Sequence, residues 1–89
     1  MNPVGAAVAD AIQTVLRDTG RGPKPVEPTM LLAADLGLDS LDLAQTIVLL
    51  ERLLGVDPFR SPATSRTVRT VSDLIAIYES ALTTGGIRA

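Results

Sequence analysis

Chemistry in this chain gathers around Ser40, at the centre of the stretch Asp35-Leu36-Gly37-Leu38-Asp39-Ser40-Leu41-Asp42-Leu43. Asp39 and Ser40 are both favoured at a helix N-cap, and apolar residues at helical spacing follow them at once. A serine there stands at the mouth of a helix with its hydroxyl presented to water. The bland reading of such a pair is a cap, which contributes about 1 kcal/mol to helix stability. The sharper one makes the hydroxyl a reaction partner. The chain has no histidine and no cysteine. It therefore lacks the residue most often used as general base or metal ligand, and it can form neither disulfides nor a cysteine metal site. Carboxylates alone remain for acid–base work, and nothing around Asp39 or Asp42 in the sequence marks them as desolvated. The chain is poorly equipped to be an enzyme by itself.

At 89 residues the chain makes one domain with no room for a second core. Aromatic residues are limited to Phe59 and Tyr78, so the core must be built from Leu, Val, Ile and Ala, which suits packed helices. The net charge of −2 leaves no electrostatic footprint for nucleic acid. Asn2 to Ala11 has no basic leader and contains Asp10, unlike a secretory signal. Apolar runs such as Ile47 to Leu50 are far too short to span a membrane. A soluble, cytoplasmic protein is the expectation.

In chain order, Asn2 can cap a first helix, with Pro3 suited to its first turn. Val4, Val8, Ala11, Ile12 and Val15 form one apolar stripe, and the helix should stop near Asp18, ahead of Gly20, Gly22 and Pro23. From Thr19 to Leu38 runs a connection too long for a helical hairpin. Pro23, Pro25 and Pro28 forbid a continuous helix in its first half. Met30, Leu31, Leu32, Leu36 and Leu38 in its second half should pin it across the helix ends, with a short turn at Leu31 to Ala34. A connection of this length in a small domain is usually functional or packed by its own side chains.

The second helix is expected from about Leu41 to Leu54, ended by Gly55. Leu43, Ile47, Leu50 and Leu54 make its core stripe. Leu41, Ala44 and Val48 make a second stripe, starting beside Ser40. It is either the flank of one broad buried face or an exposed docking surface. Ser61-Pro62 can open a short third helix, with Val68 pointing inward and Arg60, Arg66 and Arg69 on a solvated face. Thr70 and Asp73 form a capping-box-like pair ahead of a stripe of Val71, Leu74, Ile75, Tyr78 and Leu82. Residues 83–89, with Gly85 and Gly86, read as a flexible tail, leaving a core of about 4–82.

Asp35 to Leu43 resembles the attachment motif of acyl carrier proteins, in which a serine hydroxyl receives a 4′-phosphopantetheine arm. The resemblance extends over Val4 to Leu82, with weaker support from Gly55-Val56-Asp57 and Arg69-Thr70-Val71. It implies an all-α fold, a small four-helix bundle with a long first loop and a short third helix. It also implies that a phosphopantetheinyl transferase, using coenzyme A and Mg²⁺, joins the arm to Ser40 through a phosphodiester. The arm's thiol would then carry an acyl group as a thioester. Ser40 would be an acceptor and not an activated nucleophile, so the missing histidine is no objection. Asp39 would lie beside the transferred phosphate and help hold the transferase's metal. Asp42 would add negative charge for basic partners, and Leu41, Ala44 and Val48 would dock them. Other partners implied are an acyl- or aminoacyl-loading ligase and synthase or transferase enzymes, met in trans by a monomer.

The second helix departs from the strongly acidic one of many carriers, offering Asp42 and Glu51 with Gln45 and Arg52 among them. That points away from housekeeping fatty-acid synthesis and toward a specialised fatty-acid-like or polyketide-type pathway. Two alternatives stand beside this: an aminoacyl or peptidyl carrier loaded by an adenylating ligase, and a helical interaction adaptor in which Ser40 is only a cap. A DNA-binding helical domain ranks low, because Arg52 is the single cation from Leu41 to Leu54.

Overall fold

A computed structural model describes residues 3–22, 24–58 and 68–88, with only the backbone described for 83–88. Helix α1 spans Pro3–Asp18. Proline opens it without cost, because the first helical N–H has no partner within the helix. The expected stripe of Val4, Val8, Ala11, Ile12 and Val15 is buried in full, and Leu16 joins it. The expected cap at Asn2 lies outside the described residues.

Helix α2 spans Ser40–Leu54 and ends at Gly55, whose N–H donates to the carbonyl of Glu51 at 2.8 Å. Its innermost line is Asp42, Thr46 and Leu50, one residue on each successive turn. This corrects the expected core stripe of Leu43, Ile47, Leu50 and Leu54: only Leu50 is fully buried, while the other three are half-buried. The helix is rotated because Asp42 and Thr46 can go inside with their polar groups satisfied. Thr46 donates its hydroxyl to the carbonyl of Asp42 at 2.9 Å, the local bond that lets a buried threonine sit in a helix.

Helix α3 spans Val71–Arg88. Thr70 and Asp73 cap it reciprocally, as their spacing predicted: Asp73 N–H donates to Thr70 Oγ1 at 3.0 Å, and Thr70 N–H to the Asp73 carboxylate at 3.1 Å. Val71, Leu74 and Tyr78 are fully buried, with Ile75 and Leu82 packed half-buried beside them. Burial pushes the Tyr78 phenol well above its ordinary range, and nearby Asp57 and Glu51 push it further. The expected tail after Leu82 is instead helical backbone to Arg88. Each residue added to a formed helix gains a hydrogen bond without repeating nucleation, and no proline interrupts 83–88.

The long connection is held as expected, by its own leucines. Leu32, Leu36 and Leu38 are buried and Met30 is half-buried, whereas Leu31 stays 41% exposed. The backbone explains Leu31: it forms an isolated antiparallel bridge with Thr70, and its neighbours alternate to the other side. Leu32 N–H donates to the carbonyl of Arg69 at 2.9 Å, Val71 N–H to that of Met30 at 3.0 Å, and Ser72 N–H to that of Pro28 at 2.9 Å. The connection thereby satisfies donors at the start of α3 that no helical carbonyl can reach. A turn then closes between Leu31 and Gly37, with Leu31 N–H donating to the Asp35 carboxylate at 2.7 Å.

The described residues form three helices and no strand. The architecture is all-α, but a four-helix bundle is not what they make, and the expected short helix at Ser61-Pro62 lies outside them. Their packing makes a sharp stability contrast along α2. Leu50→Ala should cost about 3 kcal/mol in urea unfolding, as deletion of a buried leucine does. Leu53→Ala, at a position 59% exposed, should stay within about 0.5 kcal/mol of wild type.

Candidate functional site

The chain turns into α2 at Asp39, which has extended backbone at φ −93° and ψ −175° and is the N-cap. Its carboxylate accepts from Asp42 N–H at 2.8 Å, and its own N–H donates to the Asp42 carboxylate at 3.2 Å. Two helix-start donors are thus satisfied reciprocally. Of the two residues suited to the cap, Asp39 takes the role. Ser40 becomes the first helical residue, exposed, with its hydroxyl outside the capping box.

Asp42 is placed differently from expectation. It is buried, with 8% of its side chain exposed, and its Oδ2 meets Arg21 Nη2 at 2.5 Å. A carboxylate taken from water must be paired and hydrogen-bonded, and Asp42 has both the guanidinium and the Asp39 N–H. Those two contacts, the Arg21 hydrogen bond first, hold its pKa below the ordinary aspartate range. Asp42 is thereby engaged from inside at the start of α2, with its carboxylate held by Arg21 and the Asp39 N–H. Arg21 and Thr46 were not among the residues singled out from sequence. The spacing of Asp39 and Asp42 as a capping box was a signal for the inward turn of Asp42, but nothing local pointed to Arg21.

Beside Ser40 opens a mainly apolar groove of about 340 Å³. Asp39 and Ser40 are among the residues that line it, together with Leu31, Leu43, Val68 and Arg69. On the outer side of α2, Leu41 is 66% exposed, Val48 is 47% exposed, and Ala44 is exposed. These three do not complete one broad buried face. They form an apolar line running from Ser40 along the helix, since successive members are spaced to share a face. An exposed primary hydroxyl at a helix start, with an open groove alongside, fits a covalently attached arm. No cluster that could hold a metal ion occurs among the described residues, and none of their helices is long and apolar enough to cross a membrane.

The clamped carboxylates make stability depend on pH in one direction. Asp42 and Asp73 both have lowered pKa values, the latter through N–H bonds from Thr70 and Arg69. An unfolded aspartate titrates near 3.9, so their stabilisation is fully present above that value. It is lost as the pH falls through the lower folded-state values. The unfolding free energy of wild type minus that of Asp42→Asn should be positive and constant at neutral pH. It should shrink steadily as the pH falls below about 4, the range where the unfolded aspartate takes up its proton first. A difference that grew on acidification would contradict the paired carboxylate.

The family described as Phosphopantetheine attachment site matches the chain over residues 7–76, well over half of its length. That span takes in most of α1, the long connection, Ser40, all of α2 and the start of α3. No significant match to a curated protein or to a solved structure was found. The chain therefore belongs to the phosphopantetheine-attachment family and is a carrier protein of the acyl-carrier type, not itself an enzyme, that takes 4′-phosphopantetheine as a covalent cofactor.

Proposed function

We propose that this carrier bears its arm on Ser40 and conveys acyl groups between enzymes that dock on it in trans, in a specialised fatty-acid-like or polyketide-type pathway. The observation that carries the reading is the division of labour at the start of α2. Asp39 and Asp42 close the capping box, while the Ser40 hydroxyl stands exposed outside it. In the attachment step the Ser40 Oγ–P bond forms and the phosphoanhydride of coenzyme A breaks. The nucleotide leaves as 3′,5′-ADP, and the serine proton goes to a base on the transferase, because the carrier has no histidine. When bound, the arm supplies the thiol that holds the acyl group as a thioester.

The carrier's own residues orient and present. Asp39 lies next to the accepting hydroxyl, where a carboxylate can help hold the transferase's divalent metal. Leu41, Ala44 and Val48 supply the docking line. With Asp42 turned inward, Glu51 is the acid that α2 leaves exposed, next to exposed Arg52. Docking then leans on apolar contact more than on long-range attraction, which supports a specialised pathway over one whose enzymes recognise an acidic helix. The mainly apolar groove beside Ser40 suits an acyl cargo. Membership in a family defined by the covalent arm sets aside the adaptor without a prosthetic group.

Incubation with coenzyme A, Mg²⁺ and a broad-specificity phosphopantetheinyl transferase tests the attachment. Intact mass should rise by one phosphopantetheinyl group in the wild type and not at all in Ser40→Ala. Because Asp39 is the cap, Ser40→Ala should also unfold within about 0.5 kcal/mol of wild type. A modified Ser40→Ala would refute the assignment. The docking line has its own test: Leu41→Glu and Val48→Glu should still accept the arm but react more slowly with a cognate synthase. Wild-type rates in both would remove that surface from the account.

A further inference from the structure

Arg21 joins three segments that meet behind Ser40. Its backbone is fixed where α1 ends: Gly20 N–H donates to the carbonyl of Arg17 at 3.1 Å and Arg21 N–H to that of Leu16 at 2.8 Å, with Gly20 at φ +77°. This pair of bonds is a Schellman closure, in which a left-handed residue turns the chain back over the last carbonyls of the helix. Glycine takes that conformation without a Cβ penalty. From this base the guanidinium spreads. Nε donates to Thr19 Oγ1 at 3.0 Å, Nη1 to the carbonyl of Gly37, and Nη2 to the Asp42 carboxylate at 2.5 Å. Gly37 and Asp42 flank Ser40 in the chain, one at the end of the connection and the other in the first turn of α2.

We propose that Arg21 is a positioning residue for the modification of Ser40. Its guanidinium holds the Gly37 carbonyl and the Asp42 carboxylate at once, and so keeps the corner from Leu38 to Leu41 in the single presentation that a transferase accepts. The proposal rests on Ser40 as the attachment site. Ser40 is the first residue of its helix, where the N–H groups have no carbonyl partners within the helix, so caps and side chains fix the corner. With the fork removed, the corner spends part of its time out of place. A protein whose competent conformation is only partly populated binds with its affinity reduced by that fraction. The penalty therefore falls on KM for the carrier, and kcat is spared because the bound corner is held by the transferase. Lysine is no substitute, since a single ammonium is a point donor and the two acceptors lie on two arms of a planar fork.

The test compares Arg21→Gln and Arg21→Lys with wild type, and uses Arg17→Gln as a control for charge. Arg17 sits on the exposed side of α1, with Thr14 Oγ1 3.4 Å from its Nη2. Transfer of the arm from coenzyme A is followed by intact mass over a range of carrier concentrations. Amide hydrogen exchange is measured on the same proteins. Arg21→Gln should raise KM by about tenfold with kcat within about twofold. Arg21→Lys should fall nearer to it than to wild type, and Arg17→Gln should change neither constant. Exchange should quicken by about tenfold at Asp39 and Asp42, whose N–H groups form the capping box, and stay unchanged at Ile12 and Leu74.

An unchanged KM in folded Arg21→Gln overturns the proposal. An equal rise in Arg17→Gln does so too, because it reports general charge, and so does exchange that quickens equally at Leu74, because it reports global loosening. If Arg21→Gln fails to fold, Arg21→Lys carries the same comparison. A wild type that gains no arm rejects Ser40 as the attachment site and the role of Arg21 with it. A modified wild type with unaffected Arg21 variants rejects the positioning role alone.

Discussion

A carboxylate lies just beneath the surface at the start of α2, and the geometry of the whole corner follows from keeping it paired. Asp42 accepts from Arg21 and from the Asp39 N–H. Asp39 in turn accepts from Asp42 N–H, so charge compensation and helix capping are one network. Buried polar networks of this kind confer order when every member is satisfied and are costly when one is lost. Here the satisfied network points Asp42 inward, while Ser40 and Leu41 face outward in the first turn. The exposure of the serine is thus a consequence of where its neighbour's charge is held.

The long connection makes that arrangement possible in so small a domain. Three prolines in its first half rule out helix there, yet its backbone groups still need partners. They find them at the entry to α3, where Pro28, Met30 and Leu32 exchange bonds with Arg69, Val71 and Ser72. Leu32, Leu36 and Leu38 then bury their side chains in the common core. The end of the connection reaches Ser40 already anchored on one side by α3 and on the other by Arg21. A modification site needs this combination of an accessible side chain on a constrained backbone, because an enzyme that must order the acceptor loses affinity in doing so.

Much of this was legible in the sequence, and the reasons differ from element to element. The stripe of α1 was readable because Val4, Val8, Ala11, Ile12 and Val15 recur at the helical period with one buried side. Thr70 and Asp73 were readable because a capping box is local in sequence. The inward rotation of α2 was not, because apolar Leu43, Ile47 and Leu54 outnumber Asp42 and Thr46, the polar residues that lie deeper in their place. Hydrophobic counting places an aspartate in water, and only a cation brought from another segment reverses that preference. Arg21 supplies it across 21 residues of separation, between two glycines that otherwise read as a simple helix stop. Gly85 and Gly86 read locally as a chain end because of their low helix propensity, whereas the helical backbone through them extends a helix already formed.

The central claim is that the covalent arm sits on the one serine that the capping network turns outward. Its most direct test is fragmentation mass spectrometry of the protein produced together with an active phosphopantetheinyl transferase, mapping the arm to a residue. The expected result is one arm per chain, carried by the fragment that contains Ser40 and by none of Ser61, Ser65, Ser72 or Ser80. An arm on any of those four, or a fully unmodified chain beside a modified control carrier, would contradict it.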